Sequence, residues 1–250
     1  MGLTSYVRSV LNSAVSPYGY ELIQSSKLHD LKERFGTLPR YTSSPLPEGA
    51  SSYLCHRNPQ LEALRDRYSA FDKSVTHPLV WKDTHVQPDD ILYFRGDNAY
   101  VWQLKGQNMT DTAYGLTAYY VKSIDTLGLL SQLREDSFFG NFTFDIDSKL
   151  ISRDLLDSIV EIYFLEKHLN ISCTKNLTIL DIGAGYGRLA HRMIRAFPNI
   201  QNYLCTDGVA VSSFIAEYYL QFRSLDSKAK SVPLDEIDSV LNDLNIRLVG

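Results

Sequence analysis

The stretch "TILDIGAGYGRLAHRM", Thr178 to Met193, holds the residue types and spacing of a ligand site. Strand-like hydrophobes lead into Asp181, then Gly183, Gly185 and Gly187 at alternate positions, then a helical pattern. A strand, a glycine-rich turn and a helix are how a doubly wound fold approaches a nucleotide, because a Cβ in the turn would hold the ligand off the backbone. A dinucleotide loop wants G-x-G-x-x-G, with a pyrophosphate on the helix N-terminus. Here Arg188 stands where that third glycine is required, so the spacing is G-x-G-x-G. Asp181, two residues before the first glycine, would sit poorly beside a pyrophosphate. It suits a ligand with an ammonium group and no phosphate, such as S-adenosylmethionine. Asp207 ends the next strand-like run, where a carboxylate can take both ribose hydroxyls. Asp235 follows the third run, near where an adenine amino group would lie.

These residues need a parallel sheet to position them. After Cys173 the chain alternates strand and helix: strands at 177–181, 202–206 and 230–234, helices at 187–197, 210–222 and 235–244, and a last strand at 246–249. Before that point the pattern is mainly helical. Short helices are expected over 4–15 and 25–36, a Pro/Ser/Gly-rich loop over 37–57, and a helix opened by Asn58 and Pro59. "THPLVWKDTHVQPDDILYFRGDNAYVWQLKG" carries two aromatic, strand-like runs around "RGDN", a hairpin or an ordered loop. Helices are expected at 111–125 and 127–136, a hairpin turning at Asp147–Ser148, and a long helix over 152–169 capped by Ser152. The expected division is 1–150, a helical cap and acceptor-side region with short hairpins, and 151–250, a Rossmann-like cofactor domain.

"LDIGAGYG" resembles motif I of class I S-adenosylmethionine-dependent methyltransferases. With "YFRGDNAYVWQ", "SRDLLDSIVEIYFLEKHL" and "YLCTDGVAVSSFIAEYYLQFR" it resembles, more narrowly, a family of sugar O-methyltransferases. The resemblance implies an α/β class I methyltransferase sheet. It implies that Asp181, Gly183, Gly185 and Gly187 line the methionine half of the cofactor, with Asp207 on the ribose and Asp235 on the adenine. It also implies seven strands, of which four can be found in these 250 residues. The groups that usually follow the fourth strand have no counterpart here. The expectation is therefore a fragment, or a natural short form completed by a partner, that binds cofactor without turnover; the open edge of the fourth strand makes a homo-oligomer a further expectation. No catalytic base is assigned.

For the acceptor, "FRGDNAYVWQ" supplies Arg95, Asp97 and Asn98 as polar partners and Tyr100 and Trp102 as flat surfaces for a sugar ring; packed aromatics around a turn are the plainer reading. Tyr186, Arg188 and His191 read as packing or solvated residues. His77, Asp83 and His85 match no metal-ligand spacing, and no metal site is expected.

Composition excludes several classes. A net charge of −4 without a Lys/Arg cluster leaves no footprint for nucleic acid. Three scattered cysteines argue against a disulfide framework. The N-terminus lacks an apolar run for a signal or a membrane span, so a cytoplasmic protein is expected, and four N-x-S/T sequons read as chance. Two other functions compete with methyl transfer: an inactive cofactor-binding or regulatory module, and a nicotinamide oxidoreductase, which Arg188 and Asp181 disfavour.

Overall fold

A computed structural model describes residues 11, 13, 45–72, 88–96 and 111–244. The expected helices at 4–15 and 25–36, His77, Asp83, His85, Asp97, Asn98, Tyr100, Trp102 and the 246–249 strand lie, wholly or nearly so, outside them.

The sheet of the C-terminal half has three parallel strands, β3 (Leu177–Ile182), β4 (Ile200–Thr206) and β5 (Ala229–Ser231), in that spatial order. They follow a two-stranded antiparallel hairpin, β1 (Phe144–Ile146) and β2 (Lys149–Ile151). Its turn is Asp147 and Ser148, both left-handed (φ 52 and 61), the backbone that a two-residue hairpin requires. The mixed α/β architecture with a parallel sheet is compatible with a Rossmann-like fold. Among the described residues β3 pairs only with β4, and Ile182 at its end is 78% exposed.

Residue alternation splits the sheet's two faces. Ile179, Tyr203 and Cys205 join one core together with helices α4 (Asp111–Ile124), α6 (Arg153–Leu169) and α7 (Arg188–Ala196). Leu180, Leu204 and Val232 point the other way, against Leu241, Ile237 and Val240 of helix α9 (Ile237–Asp243). Helix α8 (Ala210–Phe222) meets helix α2 (Pro59–Ser69) in a further cluster built on Leu61, Leu64, Phe214 and Ile215. Residues on both sides of position 150 share the first core, including Tyr114, Val121, Ile159 and Met193.

The caps of the long elements are local and were legible. Asn58 accepts from the Gln60 amide at 2.9 Å ahead of Pro59. Ser152 accepts from the Leu155 amide at 3.1 Å at the start of α6.

Four expectations need correction. Within the 37–57 loop, Ala50–Tyr53 forms a short helix, α1, whose Ala50 is buried. The first aromatic run before "RGDN" is no strand: Pro88–Leu92 is helical (α3), opened by a proline whose fixed φ suits a first turn. After it, Gly96 makes a single antiparallel bridge with Asn141. The helix expected over 127–136 shrinks to Leu129–Gln132 (α5), because Glu135 and Asp136 leave it to pair with buried arginines. The third strand ends at Ser231 and not at residue 234, and Leu234–Glu236 is a 3-10 turn leading into α9.

Candidate functional site

The loop between β3 and α7 is built by backbone donors reaching across to β4. Gly183 and Ala184 amides donate to the Thr206 carbonyl at 2.8 and 3.1 Å, and the Gly187 amide donates to the Ala184 carbonyl at 3.0 Å. Gly183, Gly185 and Gly187 all have positive φ (83, 57 and 84), a conformation that L side chains rarely adopt. Their surroundings differ. A Cβ at Gly183 or Gly185 would meet no heavy atom within 4 Å, whereas one at Gly187 would lie 3.4 Å from Leu220 Cδ2. The first two glycines face open space, and the third lets α7 pack closely against α8.

The loop stands on a rigid back. Tyr186 is buried, donates its phenol to Asp154 at the start of α6, and packs 5.1 Å from the rings of Phe94 and Tyr219. His191 is buried with Nδ1 3.0 Å from the Tyr219 hydroxyl; burial and the nearby Arg192, Arg223 and Arg95 hold its imidazole neutral. Arg188 reaches back to α6, donating to Ser158 Oγ and Glu161 Oε1, both at 2.8 Å. All three serve packing, as their sequence context indicated.

Two carboxylates flank the glycines. Asp181 accepts from the Tyr203 hydroxyl at 2.9 Å. Asp207 accepts from the Gly185 amide on Oδ2 (3.0 Å) and the Val209 amide on Oδ1 (2.9 Å). A carboxylate has about four acceptor positions, so both Asp207 oxygens keep room for further donors. Burial pushes both acids up. Glu161 pushes Asp181 further, and Asp181 in turn pushes Asp207. The loop therefore carries more negative charge than nearby Arg188 offsets, which suits a cationic ligand and opposes a pyrophosphate.

The other sequence-named residues fall elsewhere. Asp235 lies past β5, where Arg67 of α2 grips it in a fork: Nε to Oδ2 at 2.8 Å and a terminal nitrogen to Oδ1 at 2.5 Å. Arg95 is not where a sugar could meet it. Its side chain is fully buried, bonded to Glu135 at 2.6 Å and Asp136 at 2.7 Å. The acceptor role suggested for it is thereby corrected, since its charged donors are committed to carboxylates inside the protein.

Sequence reasoning missed Glu161, Arg67 and Tyr68. Glu161 had a signal, because Asp154, Ser158 and Glu161 share one α6 face at helical spacing. Arg67 and Tyr68 had none, lying 145 residues or more from their partners. Among the described residues, no group of three or more His, Cys, Asp or Glu side chains could hold a metal ion, and no helix is long and apolar enough to cross a membrane.

No family profile matches the chain, and no solved structure does. Over 114 residues the chain is 31% identical to a release factor glutamine methyltransferase of Flavobacterium psychrophilum, a match covering 46% of this chain and 35% of that protein. The matched stretch thus spans about a third of that relative's length. The likeness supports a relationship with class I S-adenosylmethionine-dependent methyltransferases in general, and it does not reach the sugar O-methyltransferase family.

Proposed function

We propose that this chain binds S-adenosylmethionine at the β3–α7 loop and serves methyl transfer to a sugar hydroxyl. The carrying observation is the pairing of open space before Gly183 and Gly185 with the under-compensated acids Asp181 and Asp207. The fit is chemical. Asp181 would take the ammonium group, Asp207 the ribose hydroxyls, and the two glycines would let the ligand approach the backbone. Asp235 would face the adenine. When bound, the cofactor would supply a methyl carbon activated by its sulfonium; the carbon–sulfur bond would break as the acceptor oxygen bonds to that carbon, leaving S-adenosylhomocysteine and releasing the hydroxyl proton to solvent. The chain's part is to hold donor and acceptor in line, since proximity alone supplies a large share of such a rate. The sugar as acceptor rests on the resemblance of the quoted motifs.

Calorimetry with S-adenosylmethionine, S-adenosylhomocysteine and NAD tests the cofactor. Tighter binding of NAD would sink the reading in favour of an oxidoreductase. Donor labelled in its methyl group, offered with sugars or with a glutamine peptide of the kind the relative's name describes, tests the acceptor. Label on the peptide alone would remove the sugar. Cofactor binding with no label transferred would leave a binding module.

A further inference from the structure

Helix α2 belongs to the N-terminal half, yet it ends against the loop that follows β5. Arg67 in its last turn donates to both Asp235 oxygens and to Glu236 Oε1 at 2.6 Å. Tyr68, the next residue, is buried; its hydroxyl lies 2.9 Å from Ser213 Oγ and accepts from the Leu234 amide at 3.4 Å. Tyr68 therefore ties the first turn of α8, just beyond Asp207, to the residue before Asp235. Phe71, Val209 and Leu234 pack around the same cluster. The Arg67–Asp235 pair is about one-third exposed on each side (36% and 38%). Such a pair adds little to stability. What a planar fork does supply is direction, because two parallel hydrogen bonds fix the plane of the carboxylate.

Resting on the cofactor reading above, we propose that Arg67 is a positioning residue for purine selection: it aims Asp235 at the 6-amino edge of the adenine, while Tyr68 fixes the spacing between the ribose acid and the adenine acid. The carboxylate accepts from an amino group and repels the oxygen of a 6-oxo purine. Each Asp235 oxygen keeps an acceptor position beside its bond to Arg67. Freed of the fork, Asp235 would turn to solvent and the distinction would fade.

The test compares S-adenosylhomocysteine with S-inosylhomocysteine, its 6-oxo analogue, by calorimetry on the full chain and on Arg67→Ala and Arg67→Lys. The parent should favour the adenine ligand by roughly tenfold, the worth of about one hydrogen bond to a charged group. Arg67→Ala should bring the two affinities to within about threefold of each other at unchanged helical content. Arg67→Lys should restore only part of the ratio, because an ammonium is a point charge and not a fork. A merely structural arginine would weaken both ligands equally and leave the ratio intact, which overturns the proposal. So does a rise in adenine-ligand affinity on Arg67→Ala, since Arg67 would then be blocking Asp235. Failure of the parent to bind either ligand removes the cofactor reading itself, and this inference with it.

Discussion

Two groups of carboxylates in this molecule live under opposite electrostatics. Glu135 is fully buried between Arg95 and Arg192, bonded at 2.6 and 2.7 Å, and also accepts from Ser152. Asp136 joins Arg95 and Arg223 at 2.7 and 2.6 Å. Against the upward push of burial, Arg192 and Arg95 draw Glu135 down to about 2, and Arg223 with Arg95 draws Asp136 down as well. At the glycine loop burial raises Asp181 and Asp207, and no arginine is close enough to reverse it. Three guanidiniums answer two acids in the first group. In the second, the acids press on one another. The first arrangement pairs each acid with arginines inside the protein and ties Glu135 and Asp136 to the sheet domain through Arg192 and Arg223. The second is a charge imbalance that a cationic ligand would relieve.

The comparison breaks most visibly at Glu135. Glu135→Ala leaves the buried Arg192 without a carboxylate and Arg95 with Asp136 alone, which should lower folding stability by about 3–5 kcal/mol in chemical denaturation. A loss under about 1 kcal/mol would show that solvent or rearrangement compensates these arginines, and the contrast with the loop would lose its meaning. Asp207→Ala acts on the other side. It should cost S-adenosylhomocysteine roughly 10–100-fold in affinity, as ribose hydroxyls lose a charged acceptor. Unchanged affinity in a folded variant would remove Asp207 from the ribose.

Acid titration sharpens the same contrast. Glu135 has a folded value of about 2 against an ordinary 4.5, so its contribution is complete above about 4.5 and is lost as pH falls towards 2. Asp181 and Asp207 are raised above 3.8, so the folded state holds extra protons in the window just above that value. Their ionisation therefore lowers stability as pH rises through it. A ligand whose ammonium group lies beside Asp181 and whose ribose bonds Asp207 reverses the penalty, so affinity for S-adenosylhomocysteine should climb with pH across that window, by at most about tenfold per pH unit for each acid. NAD, being anionic, should show the opposite slope. An affinity flat across that window would mean that these acids do not face the ligand.

Much of the sheet domain was legible because its signals are local. A hydrophobic run, alternate glycines and a cap each act within a few residues, and β3, α7, β4 and α8 lie where those signals put them. What was not legible depends on distant partners. Glu135 and Asp136 sit in a helix-like sequence, but they lie outside the helix, paired with Arg95, Arg192 and Arg223. The aromatic run before "RGDN" resembles a strand because Phe94 is apolar, yet that ring is spent on Phe139, 4.7 Å away. Phe139 itself is buried with a left-handed backbone (φ 59), which no propensity would suggest. At the site, Asp181, Asp207 and the glycines were readable from spacing. The grip of Arg67 on Asp235 was not, since nothing in either segment announces the other.

The finest test separates glycines that serve the ligand from one that serves the fold. Gly185→Ala and Gly187→Ala each place a Cβ on a left-handed backbone, at roughly 1–2 kcal/mol of strain. At Gly187 the new methyl also comes into van der Waals contact with Leu220 Cδ2 at 3.4 Å, on the side away from open space. At Gly185 it meets no heavy atom within 4 Å and projects into the space assigned to the ligand. The two variants should therefore lose similar stability in thermal unfolding. Only Gly185→Ala should lose S-adenosylhomocysteine beyond that shared strain. Equal affinity in the two variants would mean that the room in front of Gly185 is incidental, and the ligand would have to be sought on another face of β3.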